Sequence, residues 1–155
     1  MEKIAAYLRA FLVMIIVMFV PNGATMNAVK SSWYQRVRPD FTPPNYVFPI
    51  VWTTLYILIG IALAQTLLLT DSVIKSALLW LYFFNLSFNV LWSLVYFGNH
   101  DVLNAFLILL AIIISTGFIL YYTYLTLPLW VFAILVPYQA WILFAAILNG
   151  ASILK

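Results

Sequence analysis

The sequence predicts an all-α fold, an integral membrane bundle of five transmembrane helices, and three observations predict it. Of 155 residues, 66% are hydrophobic and only 7% are charged, whereas an average soluble domain is nearer half apolar and a quarter charged. The apolar residues fall in long continuous runs. The breaks between those runs hold the charges, prolines and turn residues. Seven Lys and Arg and four Asp and Glu cannot clothe a soluble surface of this size, so lipid must solvate much of it. Only helices or closed barrels satisfy the backbone in hydrocarbon. Barrel strands would alternate in polarity over about ten residues, and these runs do not.

Spanning roughly 30 Å of hydrocarbon takes about 20 residues at about 1.5 Å each. The first span is expected at about residues 4–20, with Arg9 snorkelling to the headgroups. Pro21 either ends this helix or kinks it, since membrane helices tolerate proline. Glu2, Lys3 and Arg9 before an apolar run, with Gly23-Ala24 after it, also fit a signal peptide. A retained first helix is preferred, because the polytopic remainder supplies its own targeting.

Residues 22–45 form the long polar connection and are expected to act as a lid. A short interfacial helix is expected over residues 28–37, followed by extended backbone at the prolines Pro39, Pro43 and Pro44. The second span, about 46–70, carries no charge. Asp71 and Lys75 mark a turn, and the third span follows at about 76–97. Gly98-Asn99-His100-Asp101 is a turn by composition. Residues 102–154 carry no charge and are too long for one span, so Pro128 is the expected break. That gives a fourth span at about 103–125 and a fifth at about 129–154. Lys3, Arg9 and Lys75 lie on one side, and Lys30, Arg36, Arg38 and Lys155 on the other. This small difference leans toward a cytosolic long loop and C-terminus.

Composition also excludes function classes. Without cysteine there is no disulfide framework, thiolate metal site or cysteine nucleophile. The single histidine, His100, excludes His-rich metal sites and argues against a catalytic triad. No basic patch suits nucleic acid. No internal repeat implies an inverted-repeat transporter.

Three aromatic constellations remain. The first runs from Trp33-Tyr34 through Arg38-Pro39-Asp40-Phe41-Thr42-Pro43-Pro44 to Phe48, Trp52, Tyr56 and Gly60. Trp52, Tyr56, Gly60 and Ala64 recur every fourth residue and share a helix face. They form either an ordinary packing face with an interfacial aromatic belt or one wall of a site. The second is Asn85, Asn89, Trp92, Ser93 and Tyr96, again on one face. Amides facing lipid would be unsatisfied, so they should face the bundle interior, as interhelical glue or as ligand anchors. The third is Pro137, Tyr138, Trp141, Phe144, Ala145, Leu148 and Asn149, where Ala145 leaves a slot beside the Trp141 indole. An apolar, aromatic-walled pocket with a few polar anchors is the usual form of a small-molecule site. It suits a large flat hydrophobic molecule. Arg36 and Arg38 either pair with a ligand carboxylate or are ordinary interfacial arginines.

These residues resemble the TspO/MBR family (tryptophan-rich sensory protein, or translocator protein). The family signature of Trp-Tyr, then Lys-Pro-x-Trp-x-Pro-Pro, then Trp-x-x-Leu-Tyr reads here as Trp33-Tyr34, Arg38 through Pro44, and Trp52-Thr53-Thr54-Leu55-Tyr56. The Asn-rich third helix is matched by Asn85, Asn89, Trp92, Ser93, Tyr96 and Phe97, and Pro-Tyr-x-x-Trp-x-x-Phe-Ala-x-x-Leu-Asn by Pro137 through Asn149. The resemblance covers about residues 28–150.

It implies a five-helix bundle that forms homodimers in a lipid bilayer. It implies a pocket beneath the first loop for porphyrins such as protoporphyrin IX and for benzodiazepine-type or isoquinoline ligands. By position, the implied wall includes Trp33, Phe41, Trp52, Asn89, Trp141 and Ala145. With the other inward aromatics and amides, the full candidate set adds Tyr56, Asn85, Trp92, Tyr138, Phe144 and Asn149. Some family members are linked to light-dependent porphyrin breakdown, for which Trp52 and Trp141 are the matching positions. Arg38 replaces the usual lysine and keeps its charge. Phe41 replaces a tryptophan and loses the indole donor. The last residues, Ser152 to Lys155, lack the Tyr and Arg of the animal cholesterol motif, so a prokaryotic cell membrane is expected.

The expected function is a membrane receptor or binding protein for tetrapyrroles, in sensing, transport or regulation. No Asp, Glu, Lys or His lies deep in a span to act as general acid or base, so enzymatic activity reduces to photochemistry on bound porphyrin. Ion-coupled transport lacks buried ionisable groups, which leaves facilitated passage or a membrane scaffold as the other reading. No cofactor is required. His100 sits in a turn, so haem iron would need Tyr or Met, and metal-free porphyrin should bind as well as haem.

Overall fold

The computed structural model describes residues 1–155 and contains helices only. Helix α1 spans Glu2–Phe19 and α2 spans Asn22–Ala28. Between them the backbone stays right-handed, with Val20 still donating to Ile16 O and Pro21 at φ −85°, ψ −3°. Proline lacks an N–H, so it bends the helix here without ending it. Residues 22–28, expected as part of the loop, therefore extend the first span to 27 residues. The short helix α3, Ser32–Val37, starts where Ser31 Oγ accepts from Tyr34 N at 3.2 Å. The extended backbone expected through the prolines is broken by two turns, Thr42 N donating to Pro39 O at 3.1 Å and Val47 N to Pro44 O at 2.9 Å.

Helix α4 spans Val47–Leu67. Helix α5 spans Ser72–Ser93 and starts four residues earlier than expected, because Asp71 accepts from Val73 N and Ile74 N at 2.9 and 3.1 Å. It ends in a π-helical turn, Leu94–Gly98, which nothing in the periodicity announces. Helix α6, Val102–Thr126, is capped by Asp101, and α7, Leu129–Ile153, begins directly after Pro128. All five long helices are apolar enough to cross a membrane.

Helix α1 packs on α4, α4 on α7, α7 on α6, and α6 on α5. The ring closes where α5 meets α4 and α1, and that seam is much sparser than the others. On α1 the buried residues are Ala6, Ala10, Met14 and Val17, at steps of three and four. They meet α4 at Gly60, where an added Cβ would lie 3.1 Å from Phe11 and 3.2 Å from Met14. The glycine is what lets the two helices approach. Outward positions such as Leu107, Ile114, Phe118 and Ile147 are large, apolar and exposed. Such a surface belongs in lipid.

Candidate ligand-binding cavity

The sparse seam encloses a cavity of about 390 Å³, within the usual range of roughly 300–1,000 Å³ for small-molecule sites. Helix α4 contributes Phe48, Trp52 and Tyr56, and α5 contributes Asn89, Trp92, Ser93 and Phe97. The kinked first span adds Met18, Phe19, Pro21, Thr25 and Met26, and Tyr34 of α3 closes one end. Trp52 stacks on Tyr56 with ring centroids 5.4 Å apart, and Trp92 stacks on Tyr96 at 5.6 Å. Trp52, Tyr56 and Trp92 line the cavity, whereas Tyr96, in the π-helical turn, faces the adjoining recess.

One buried polar ladder sets these walls. Tyr56 Oη donates to Asn89 Oδ1 at 3.3 Å, and Asn89 Nδ2 donates to Tyr138 Oη at 2.9 Å. Tyr138 Oη donates onward to Asn85 Oδ1 at 2.8 Å. Asn85 Nδ2 donates to Ser115 Oγ and Thr116 Oγ1, each at 2.8 Å, and to Ile112 O at 3.1 Å. The chain ties α4, α5, α7 and α6 together. Buried amides held on both sides fix the rotamers around them.

A recess of about 40 Å³ lies next to the cavity and shares Tyr34, Phe48, Trp92 and Phe97 with it. Arg38, Pro39 and Thr42 of the loop roof it, and Ala145, Asn149 and Ser152 of α7 form its far side. Trp92 Nε1 donates to Asn149 Oδ1 at 3.0 Å, and Asn149 Nδ2 donates to Val102 O at 2.8 Å. Burial, with Tyr96 close by, pushes the Tyr34 phenol up from its ordinary value, and the Arg38 guanidinium pulls the other way. Arg38 is the only formal charge lining either space.

A sequence model of the TspO/MBR family matches residues 10–154. The chain belongs to the TspO/MBR family.

It is 34% identical to the tryptophan-rich protein TspO of Archaeoglobus fulgidus, over 96% of this chain and 95% of that one. It is 31% identical to the protein of the same name in Chlorobaculum tepidum, over 82% of each. It is 32% identical to protein CrtK of Rhodobacter capsulatus, over 76% of this chain and 74% of that one. Membership and five apolar helices make it a multi-pass integral membrane protein of sensory or transport type.

Within this TspO/MBR bundle the sequence candidates divide by place. Trp52, Tyr56, Asn89 and Trp92 line the cavity, and Ala145 and Asn149 line the recess with Trp92. Asn85 and Tyr138 lie behind the wall, with their polar atoms used between helices. Trp141 packs edge-on against Phe48 at 5.8 Å and beside Phe144 at 5.6 Å, outside both spaces. Its Nε1 is buried without a hydrogen-bond partner. Trp33 stands over the end of α5, 4.1 Å from the His100 ring and nearly parallel to it. Phe41 is 56% exposed and lines neither space. The spacing did not reveal the cavity residues of the first span. Their only signal is Pro21 inside an apolar run, where a kink swings Thr25 and Met26 over the seam.

Proposed function

We propose that this protein binds a flat hydrophobic tetrapyrrole, of the protoporphyrin IX type, between the Trp52–Tyr56 pair of α4 and Trp92 of α5, and that occupancy is sensed or passed on. The carrying observation is the cavity at the α1–α4–α5 seam. Its walls carry the stacked Trp52–Tyr56 pair and Trp92, and Asn45, Asn89 and Ser93 are polar groups along its lining. Stacking supplies affinity, and few hydrogen bonds set orientation. Arg38 in the adjoining recess offers a bidentate partner for a propionate carboxylate. The linings hold no carboxylate, lysine or histidine, which favours binding over general acid–base catalysis. The relatives come from an archaeon and from bacteria, in keeping with a prokaryotic cell membrane.

The test is quenching of intrinsic tryptophan fluorescence by protoporphyrin IX in nanodiscs, in the dark. Saturable quenching is expected, lost in Ser93→Phe, which fills the cavity, and kept in Phe83→Leu on the outer surface. Quenching no greater than that of an unrelated membrane protein, or equal in both variants, overturns the reading. Light-dependent porphyrin bleaching is a separate outcome. Trp52 lines the cavity and Trp141 does not, so Trp52→Phe should lower bleaching more than Trp141→Phe.

A further inference from the structure

We propose that the main cavity is loaded sideways from the bilayer, through a portal between α2 and the first turns of α4, rather than from water through the loop. This rests on the cavity being the ligand site.

The cavity's lining divides sharply by exposure. Its floor residues Pro21, Tyr34, Tyr56 and Asn89 are buried. Its exposed residues lie along two edges: Phe19, Asn22 and Met26 on the kinked first span, and Asn45, Pro49 and Thr53 on and before α4. The mouth is therefore a slot between these two elements. The packing explains why it stays open. Helix α2 rests on α1 and on the π-helical end of α5, where Ala24 meets Gly98, and it has at most marginal contact with α4. The bend at Pro21 carries α2 away from α4, although α1 itself is tightly packed on that helix at Gly60.

The slot faces lipid by its depth and chemistry. Tyr46 is exposed at the start of α4, at the level where aromatic residues mark the membrane interface. Thr53 lies seven residues further on, about 10 Å along the axis at about 1.5 Å per residue. No charged side chain borders the slot. Its apolar jaws are Phe19 and Met26, and Met is a flexible, polarizable side chain that accommodates varied shapes. Of the charged groups at this end only Arg38 lines either space, in the recess, while Lys155 Nζ pairs with Asp40 Oδ1 at 2.7 Å on the surface. The loop side thus carries the charge, and the slot is lined only by apolar and neutral polar groups. A flat apolar ligand already concentrates in the bilayer, so this route spares it a return to water.

Two measurements test the portal. The chain has no cysteine, so Thr53→Cys, Met26→Cys and Asp40→Cys each carry one nitroxide label in nanodiscs. Relaxation at Thr53 and Met26 by oxygen, with shielding from a water-soluble nickel chelate, is expected. Asp40 should respond in the opposite sense. Nickel access at Thr53 equal to that at Asp40 overturns the portal, whatever the ligand. The second is stopped-flow quenching by protoporphyrin IX. Thr53→Trp, at the exposed rim of the lining, should slow association by about tenfold and should not speed dissociation, and Kd measured alongside separates any change in the bound state from the change in rate. The double variant Asp40→Asn/Lys155→Gln should leave both rates unchanged. Faster rates in that loop variant with none slowed by Thr53→Trp place entry through the loop and overturn the proposal. Absence of saturable quenching in the unmodified protein instead sinks the ligand reading, while the nitroxide result still decides the geometry of the slot.

Discussion

Tyr138 and Asn89 hold one another across the core, Asn89 Nδ2 donating to the Tyr138 hydroxyl at 2.9 Å. Tyr138 is only 2% exposed and sends its own proton to Asn85 Oδ1 at 2.8 Å. Tyr138→Phe would leave an amide donor and an amide oxygen unpaired in the interior. The expected cost is about 1–3 kcal/mol, with the lower end favoured because interhelical bonds in membranes average about 0.6 kcal/mol. Thermal unfolding in detergent reads it as a lowered Tm. An unchanged Tm contradicts the ladder's structural role.

Two glycines should respond differently to a side chain. An added Cβ at Gly60 meets Phe11 and Met14 at 3.1–3.3 Å, whereas at Gly117 nothing lies within 4 Å. Gly117→Ala should stabilise by up to about 1 kcal/mol through helix propensity. Gly60→Ala should be close to neutral, because crowding offsets that gain. Gly60→Leu should cost about 1–3 kcal/mol by forcing α1 off α4. Equal effects at the two sites would refute the close α1–α4 approach.

The two inward indoles of α5 and α7 differ in what they hold. Trp92 Nε1 donates to Asn149 Oδ1 at 3.0 Å, and Trp141 Nε1 has no partner. Trp92→Phe should therefore lower stability by about 1 kcal/mol and weaken porphyrin quenching. Trp141→Phe should spare stability and change affinity less. The reverse order in a side-by-side Tm and titration series contradicts the placement of Trp141 behind Phe48.

Acid should loosen the start of α6. Asp101 accepts from Asn104 N at 3.0 Å and from Asn104 Nδ2 at 2.7 Å, and these bonds hold its carboxyl below the ordinary value of 3.8. A lowered folded-state value means the cap's contribution is fully present above pH 3.8 and is lost as pH falls through the lower folded value. Asp101→Asn keeps an acceptor and cannot titrate, so its Tm should fall less on acidification than that of the unmodified protein. Parallel curves would remove this carboxylate from the acid response.

The five spans were legible in the sequence because hydrocarbon demands long apolar runs; the last four end within about four residues of the expected bounds, whereas the first runs on past Pro21 to Ala28. Cap chemistry moved the ends: Asp71 starts α5 early, and Pro21 bends where it was free to stop. Face assignments from spacing held where one helix faces one neighbour. Trp52 and Tyr56 stack on each other, and Asn85 and Asn89 are both buried. Spacing cannot give depth or partner, however. Asn85 sits one turn below Asn89, where it bonds only α6 and α7, and Trp141 meets Phe48 before it meets the cavity. Phe41 lies in proline-punctuated backbone with no period to orient it. The π-helical turn at Leu94–Gly98 breaks the register that would have placed Phe97.

Indole ¹⁵N–¹H spectra of the protein in nanodiscs, with and without protoporphyrin IX, read out whether the ligand sits between Trp52 and Trp92. The chain has six tryptophans. Large shifts or broadening are expected for Trp52 and Trp92, a smaller change for Trp141 behind Phe48, and none for the outward-facing Trp80 and Trp130. Uniform small changes at all six, or perturbation confined to Trp80 and Trp130, would contradict that placement of the ligand.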